Sequence, residues 1–376
     1  MAETQVVVVG GGIFGLGLIA ALIKSYSSLK DKAHVTLITD REEYVYLPAN
    51  LRNAVTDISE LYIRPYSKLF TKVPDFGTLK VAKVTNILDK GKTVVLESGE
   101  SIKADILVLA TGSNHSPPSD AIGVNRKEIF QFFADQRAKI KSASTIVILG
   151  GGAVGSELAA EIGDVYKDQK RIILVHSKDL PLSNIYLYSF REKVANILDK
   201  LGVTTIFNST GVDNGDGTVT ITHKPTAQHS EKSETISADI VFHALTPTPN
   251  TGFVAENFKN SKGQVIVKPT FQTLESDHVF ALGDINDIVE VKQAAKSLSA
   301  IPIAAANVIS VINGQAASKT YKPSLEAIGL LLGRRHAAGT IELPCFGKVN
   351  FPGWLILWLK GEDVLASKIL KSIGIY

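Results

Sequence analysis

Two glycine turns carry the clearest chemical potential in this chain: Gly10-x-Gly12-x-x-Gly15 in the stretch VVVVGGGIFG, and Gly150-x-Gly152-x-x-Gly155 in IVILGGGAVG. In each, the first glycine permits a tight turn, the second lets backbone approach a pyrophosphate, and the third allows close packing of a helix on a strand. The N–H groups that open the helix then face the phosphates. Ile13 and Phe14 lie inside the first turn and count among its cofactor contacts. Further on, Thr39 and Asp40 both stand as candidates for a ribose hydroxyl. The corresponding position after the second turn is His176, followed by Ser177 and Lys178. No carboxylate repels a 2′-phosphate there, so NADPH is as acceptable as NADH.

The flanking elements turn a weak motif into a specific one. Gln5 to Val9 is a short continuous apolar run, as in a parallel strand buried on both faces. Leu16, Ile19, Ala20 and Ile23 then recur at helical spacing, and His34 to Ile38 supplies the next strand. The second copy repeats this grammar, with a strand from Thr145 to Leu149, a helix with Leu158, Ala159, Ile162 and Val165 on one face, and a strand from Arg171 to Val175. Two dinucleotide sites are implied.

Composition narrows the chemistry. With 376 residues, 45% of them hydrophobic, the chain is long enough for two or three domains. Its 40 Lys and Arg against 37 Asp and Glu are scattered, and the largest basic cluster is Arg334-Arg335-His336, so no nucleic-acid partner is expected. The one cysteine, Cys345, excludes an internal disulfide framework, a cysteine-rich zinc site and a CxxC redox pair, and favours an intracellular setting. No signal peptide, myristoylation glycine or uncharged apolar run of spanning length is present, so no membrane crossing is expected. Eight scattered histidines without HExxH or a nucleophile elbow leave the reaction to a cofactor, with no metal site. Residues 211–238, with DNGDG, read as hairpins; Lys224 stands where a calcium loop needs glutamate.

Two further stretches, ADILVLATGS (Ala104 to Ser113) and DHVFALGDIND (Asp277 to Asp287), resemble the two-dinucleotide-binding flavoprotein superfamily that includes disulfide reductases. The resemblance implies an α/β fold with two Rossmann-like, glutathione-reductase-like domains plus a small α+β C-terminal domain. It assigns FAD to the first glycine turn, closed by Ala110-Thr111-Gly112, with Asp284 on the ribityl chain and a helix following whose N-terminus faces the flavin. NAD(P)H goes to the second turn. The expected division is 1–113 with 247–320 for FAD, 114–246 for NAD(P)H and 321–376 for the C-terminal part. HSPPSD (His115 to Asp120) and TPTPN (Thr246 to Asn250) are the links between them; the return lacks the family's glycine at Ala244-Leu245-Thr246.

More narrowly, YLPANLR (Tyr46 to Arg52), ILGGGAVGSELAAEI (Ile148 to Ile162), ALGD and the tail resemble the apoptosis-inducing-factor-like branch. Within it the chain resembles in particular the ferroptosis-suppressor type of NAD(P)H:quinone oxidoreductase and its fungal relatives. That resemblance implies FAD contacts from Arg52 and the backbone at Val84. It places Glu157 beside flavin and nicotinamide, and brings Lys360, in WLKGEDVL, to the flavin, where the two could relay protons. A glutathione-reductase-like cysteine pair cannot exist here, so electrons are expected to pass from NAD(P)H through FAD to a small-molecule quinone. The alternative is a cell-death or redox-signalling flavoprotein whose NAD(P)H-reduced state controls partner binding. In the tail, Trp354 to Leu359 precede a stripe of Leu365, Ile369 and Ile373 opposite Lys368 and Lys371. Such a helix either rests on a membrane surface or covers the protein's own core or a homodimer partner. Residues 351–376 are accordingly the expected peripheral membrane contact of a cytoplasmic protein, on a lipid droplet or the mitochondrial outer surface.

Overall fold

Val6 to Val9 are all buried because the strand Thr4–Val9 lies in the middle of a parallel sheet. The strand order is Val279–Ala281, Ile106–Leu109, Thr4–Val9, Ala33–Thr39, Gly77–Val81. Alternate residues face opposite ways. Val6 and Val8 pack with Leu16 and Leu18 of the helix Ile13–Lys24, while Val7 and Val9 pack with Val84, Val94 and Leu96 of a small antiparallel sheet. The computed structural model that shows this describes residues 3–225, 230–361 and 363–375.

The second glycine turn sits in the same architecture. Val203–Ile206, Arg171–Val175, Thr145–Leu149 and Ile240–His243 form a parallel sheet in that order. Ile146 and Ile148 face the helix Ala153–Tyr166, and Val147 and Leu149 face the antiparallel strands Ser209–Asp213, Thr218–His223 and Lys232–Ser237, where hairpins were expected. The outbound and return links pair side by side, Ser113–Asn114 with Thr248–Pro249. The missing return glycine does not alter the path as far as Ala244. Ala244 N–H donates to Leu149 O at 2.8 Å, as Ala110 N–H donates to Val9 O at 2.8 Å.

The helix expected directly after Asp284 starts later. Gly283–Ile285 is a single 3-10 turn, irregular chain follows, and a second 3-10 turn, Ala294–Lys296, leads into the helix Ser297–Ile312. Ala294–Ile312 is long and apolar enough, by length and composition, to cross a bilayer. Here it packs on the helix Ile13–Lys24, with Ile301 filling the space that a side chain on Gly17 would need.

The C-terminal part is a three-stranded antiparallel sheet, Ala327–Leu332, His336–Leu343 and Gly347–Phe351, followed by helices Gly353–Lys360 and Ala366–Ser372. The tail is therefore not one amphipathic helix. Gly361 (φ 62°) ends the first helix, and Leu365 (φ 72°) is left-handed where the second begins. Ile369 and Ile373 are buried, and the second helix packs on the short helix Ser59–Tyr62, so this half of the expected membrane stripe covers the protein itself.

A methyl group on Gly15 would overlap the Gly10 carbonyl oxygen, whereas one on Gly12 would meet no atom nearer than 4.0 Å. Gly15→Ala is expected to lower cofactor-free stability by about 2 kcal/mol through overpacking, and Gly12→Ala to leave it near wild type. Thermal melting of the two cofactor-free variants checks the contrast.

Candidate active site

The first turn opens onto a cavity of about 500 Å³. Gly10 and Gly12 form its floor, Thr39 and Asp40 come from the end of the second strand, Val84 from the small antiparallel sheet, and Ala110, Thr111 and Gly112 from the strand end opposite. These expected cofactor positions thus converge, and both ribose candidates stay in contact with the same space. Gly12, Gly112 and Gly252 line it, and none has an atom nearer than 4.0 Å to where its side chain would be. That bare backbone wall suits a pyrophosphate, so the residues present fit a dinucleotide.

Other expected contacts stand behind or beside the cavity. Gly15 packs on Gly10, and the Phe14 ring lies against Gly283. Asp284 Oδ2 accepts a 3.2 Å bond from Ser113 Oγ, and Ser113 borders the cavity. Two contributors had no motif to announce them. The buried Tyr66 hydroxyl donates to Gly11 O at 2.7 Å and fixes the turn from below, leaving no room for a side chain on Gly11. Arg41, 3.2 Å from Asp120 and 3.5 Å from Asp40, places a cation on the cavity wall.

At the second turn, Gly152 likewise has open space, while a side chain on Gly155 would overlap Gly150 O. His176 braces the turn's backbone. Its Nδ1 accepts from Gly151 N–H at 3.1 Å, which requires a neutral ring with hydrogen on Nε2; that hydrogen is then donated to Leu182 O at 3.2 Å. Burial pushes its pKa down, and the charges of Arg191, Lys178 and Lys224 add to this against the Leu182 bond. With both nitrogens committed, the imidazole holds the turn's shape.

Three charged side chains meet the outer edge of the C-terminal sheet. Ala327–Leu332 is an edge strand, so alternate backbone groups find no ladder partner. Lys360 Nζ donates to Gly329 O at 2.5 Å, Leu331 N–H donates to Glu157 Oε1 at 3.1 Å, and Arg52 Nη2 donates to Gly333 O at 3.0 Å. Arg52 also holds Glu161 Oε1 through Nε at 2.9 Å and Nη2 at 2.7 Å, with both side chains at least 95% buried. It is not part of the cavity lining, and in the folded chain it serves as a structural clamp. The helix Gly353–Lys360 seats Ile356 on Gly329 and Gly339, and one turn later this brings Lys360 to the same strand. Burial pushes the Glu157 carboxyl up, while the Lys360 charge and the Leu331 N–H draw it down; the net direction is up. Tyr46, from YLPANLR, also faces this spot: burial raises its hydroxyl, and the charges of Asp363 and Glu157 add to the effect.

A family model for pyridine nucleotide-disulphide oxidoreductase matches residues 4–300, from the first glycine turn past Asp284. The chain belongs to this family. It is 33% identical over 303 residues to FAD-dependent oxidoreductase FVFD30 of Flammulina velutipes, covering 79% of this chain and 91% of that one. It is 30% identical over 383 residues to Apoptosis-inducing factor 1 of Saccharomyces cerevisiae, covering 97% of each. It is 28% identical over 377 residues to Ferroptosis suppressor protein 1 of Taeniopygia guttata, covering 99% and 96%. The protein is thus an FAD-dependent NAD(P)H oxidoreductase of the apoptosis-inducing-factor-like branch. The disulphide in the family's name cannot form within this member: its sole cysteine, Cys345, is exposed, in the turn before Gly347–Phe351.

The raised Glu157 carboxyl means that the folded chain binds this proton more tightly than the unfolded chain. Its stabilising contribution is complete below the ordinary value of 4.5 and is lost as pH rises through the folded value. Glu157→Gln removes that loss. Melting temperatures of both proteins across pH 4 to 8 should therefore shift in favour of the variant with rising pH, by about 1.4 kcal/mol for each pKa unit of elevation.

Proposed function

We propose that this oxidoreductase passes its electrons from flavin directly to a quinone. The supporting observation is the solitary, exposed Cys345: with no second thiol in the chain, the acceptor has to meet the flavin itself. The first cavity would hold FAD, with Gly10 and Gly12 at the pyrophosphate, Thr39 or Asp40 at the adenosine ribose and Asp284, braced by Ser113, toward the ribityl chain. The turn at Gly150 and Gly152, held in shape by His176, would take NAD(P)H. When bound, the flavin supplies a carrier that accepts a hydride and releases two electrons. Quinone reduction also consumes two protons. Glu157 is suited to hold one, since burial raises its proton affinity, and Lys360, anchored on Gly329 O, sets how far that affinity rises.

Trp354 and Trp358 support a membrane-surface location. They lie four residues apart on the helix face opposite Ile356 and are 67% and 74% exposed, with Leu359 beside them. A short helix presenting two tryptophans and a terminal lysine suits the interface of a lipid droplet or the mitochondrial outer surface, where a lipid-dissolved quinone resides.

Steady-state NAD(P)H oxidation with a soluble quinone tests the reaction. Glu157→Ala and Lys360→Ala should each slow it, by on the order of 10²-fold where proton transfer limits. Unchanged turnover in both would remove the proton role, and one slow turnover without steady-state quinone reduction would favour the signalling alternative. In a separate flotation assay with anionic liposomes, the Trp354→Ala/Trp358→Ala protein should stay at the bottom of the gradient while wild type rises; equal behaviour would count against docking through this helix.

A further inference from the structure

The two glycine turns match in register, so the first serves as an internal standard for the second. Gly10 N–H donates to Ile38 O and Gly150 N–H to Val175 O, both at 2.9 Å, and the paired strands end alike, Val9 beside Ile38 and Leu149 beside Val175. One residue further on, Thr39 O accepts from Ala82 N–H at 2.8 Å and His176 O from Ser209 N–H at 3.0 Å. Thr39, Asp40 and Arg41 at the first site therefore correspond to His176, Ser177 and Lys178 at the second.

What differs is the charge. At the first site Asp40 supplies a carboxylate, and Arg41 is engaged by Asp40 at 3.5 Å and Asp120 at 3.2 Å. At the second site Ser177 replaces the acid, and Lys178, exposed, has no carboxylate partner among the described residues. The next acid along, Asp179, is held by Arg191 Nη2 at 2.7 Å. A second cation arrives from outside the strand-turn-helix unit: Lys224, just past the antiparallel strand Thr218–His223, donates through Nζ to Ser177 O at 2.6 Å. An ammonium carries three hydrogens, so this bond leaves two for a ligand at the same spot.

Backbone bonds hold these cations in place beside the turn. Lys224 N–H donates to Asn208 O at 2.9 Å, Asn208 N–H donates to Lys178 O at 2.8 Å, and Leu182 N–H ties the far end of the loop to Gly151 O at 2.7 Å. Burial lowers the affinity of the His176 ring for a proton, and the charges of Arg191, Lys178 and Lys224 lower it further, so the field of both lysines reaches the residue that braces the turn. An adenosine ribose with a free 2′-hydroxyl is recognised by a carboxylate acceptor, which positions 176 to 178 do not offer. A 2′-phosphate carries about two negative charges at neutral pH, and lysine binds phosphate as a point charge.

We infer that the second turn selects NADPH over NADH, with Lys178 and Lys224 receiving the 2′-phosphate of the adenosine ribose and the Ser177 hydroxyl donating to it. The inference rests on the placement of NAD(P)H at Gly150 and Gly152 above and adds a choice between the two nucleotides. Lys224 is the unexpected member: it comes from the antiparallel sheet, about fifty residues after the loop it completes.

The test uses FAD-loaded protein, in which the first turn is occupied and flavin absorbance reports folding. It is titrated calorimetrically with adenosine 2′,5′-bisphosphate and with 5′-AMP, and assayed for oxidation of NADPH and of NADH with ferricyanide as acceptor. Wild type should bind the bisphosphate more tightly than 5′-AMP by about tenfold or more. Lys178→Ala, Lys224→Ala and Ser177→Asp should each reduce that ratio by about tenfold, and the ratio of kcat/KM for NADPH to that for NADH should fall with it. If wild type binds the two ligands equally, or if the lysine variants weaken both alike and keep the ratio, as a purely structural role of Lys224 at Ser177 O would have it, the 2′-phosphate site is overturned. Gly152→Leu, which fills the open space at the turn, separates this from the underlying placement: it should abolish binding of both ligands, and unaltered 5′-AMP binding and NADH oxidation in that variant would remove NAD(P)H from the second turn, and the selection with it.

Discussion

The open edge of the strand Ala327–Leu332 is the constraint around which this site is assembled. A buried backbone carbonyl or amide without a partner costs as much as a lost hydrogen bond, and an edge strand presents a row of them. This chain satisfies that row with charged side chains drawn from three separate segments: Arg52 follows the first sheet's second strand, Glu157 opens the helix after the second glycine turn, and Lys360 ends the first tail helix. Because strand geometry repeats every two residues, Gly329 and Leu331 present their groups on the same side, and the Gly333 carbonyl, in the left-handed turn just past the strand, adds the third contact. The buried Arg52–Glu161 pair then fixes the register of these contacts. Withdrawing one partner of such a pair costs about 3–5 kcal/mol, because a charge is left in a poorly solvated place.

The helix Ala153–Tyr166 is patterned for this role. Glu157, Glu161 and Asp164 fall at i, i+4 and i+7 on one helical face, and each touches the C-terminal sheet or its clamp: Leu331, Arg52 and Arg334 respectively. Acidic residues at core spacing in an otherwise apolar helix are a sequence signal, legible as a stripe that must find donors. Their partners were not legible, because they come from segments that local pattern cannot bring together. The same division separates what was read about the glycine turns from what was missed. Strand, turn and helix follow from local sterics, so the cradle at Gly10, Gly12, Thr39, Asp40 and Ala110 to Gly112 could be named in advance. Tyr66 under Gly11 is a long-range contact from a segment with no periodicity, and nothing in its surroundings announced it. Position alone pointed to His176 beside the second turn, and hydrogen-bond accounting adds that its ring braces the turn's backbone.

The tail shows how a correct period can still mislead. Leu365, Ile369 and Ile373 do recur on one face, but periodicity says only that a face must be covered, not by what. The intervening Gly361 and left-handed Leu365 turn the second helix back onto the protein, which buries Ile369 and Ile373. The first helix keeps its tryptophans outward because its inward anchor is Ile356, which fits against two glycines. The same anchoring decides the fate of Lys360. Had the helix continued unbroken, the lysine would have been one more surface charge; ending where it does, it serves a strand carbonyl beside Glu157.

This arrangement couples the proton-holding carboxyl to the position of the C-terminal sheet. Three groups oppose the upward push of burial on Glu157: the Arg52 charge, and two tied to the sheet, the Leu331 N–H, which belongs to it, and Lys360, which is held to it through Gly329. Displacing the sheet from the helix by even a hydrogen-bond length withdraws both together and leaves desolvation less opposed, so the carboxyl binds its proton more tightly. Conversely, a negative charge developing near Glu157 favours protonation, while a cation drawn closer favours release. The tail helix carries Lys360 at one end and exposed tryptophans on its outer face, so the contact that would seat it on a surface and the contact that tunes Glu157 are made by the same eight-residue element. If the helix docks as proposed, local proton affinity and docking are linked through the edge of one sheet.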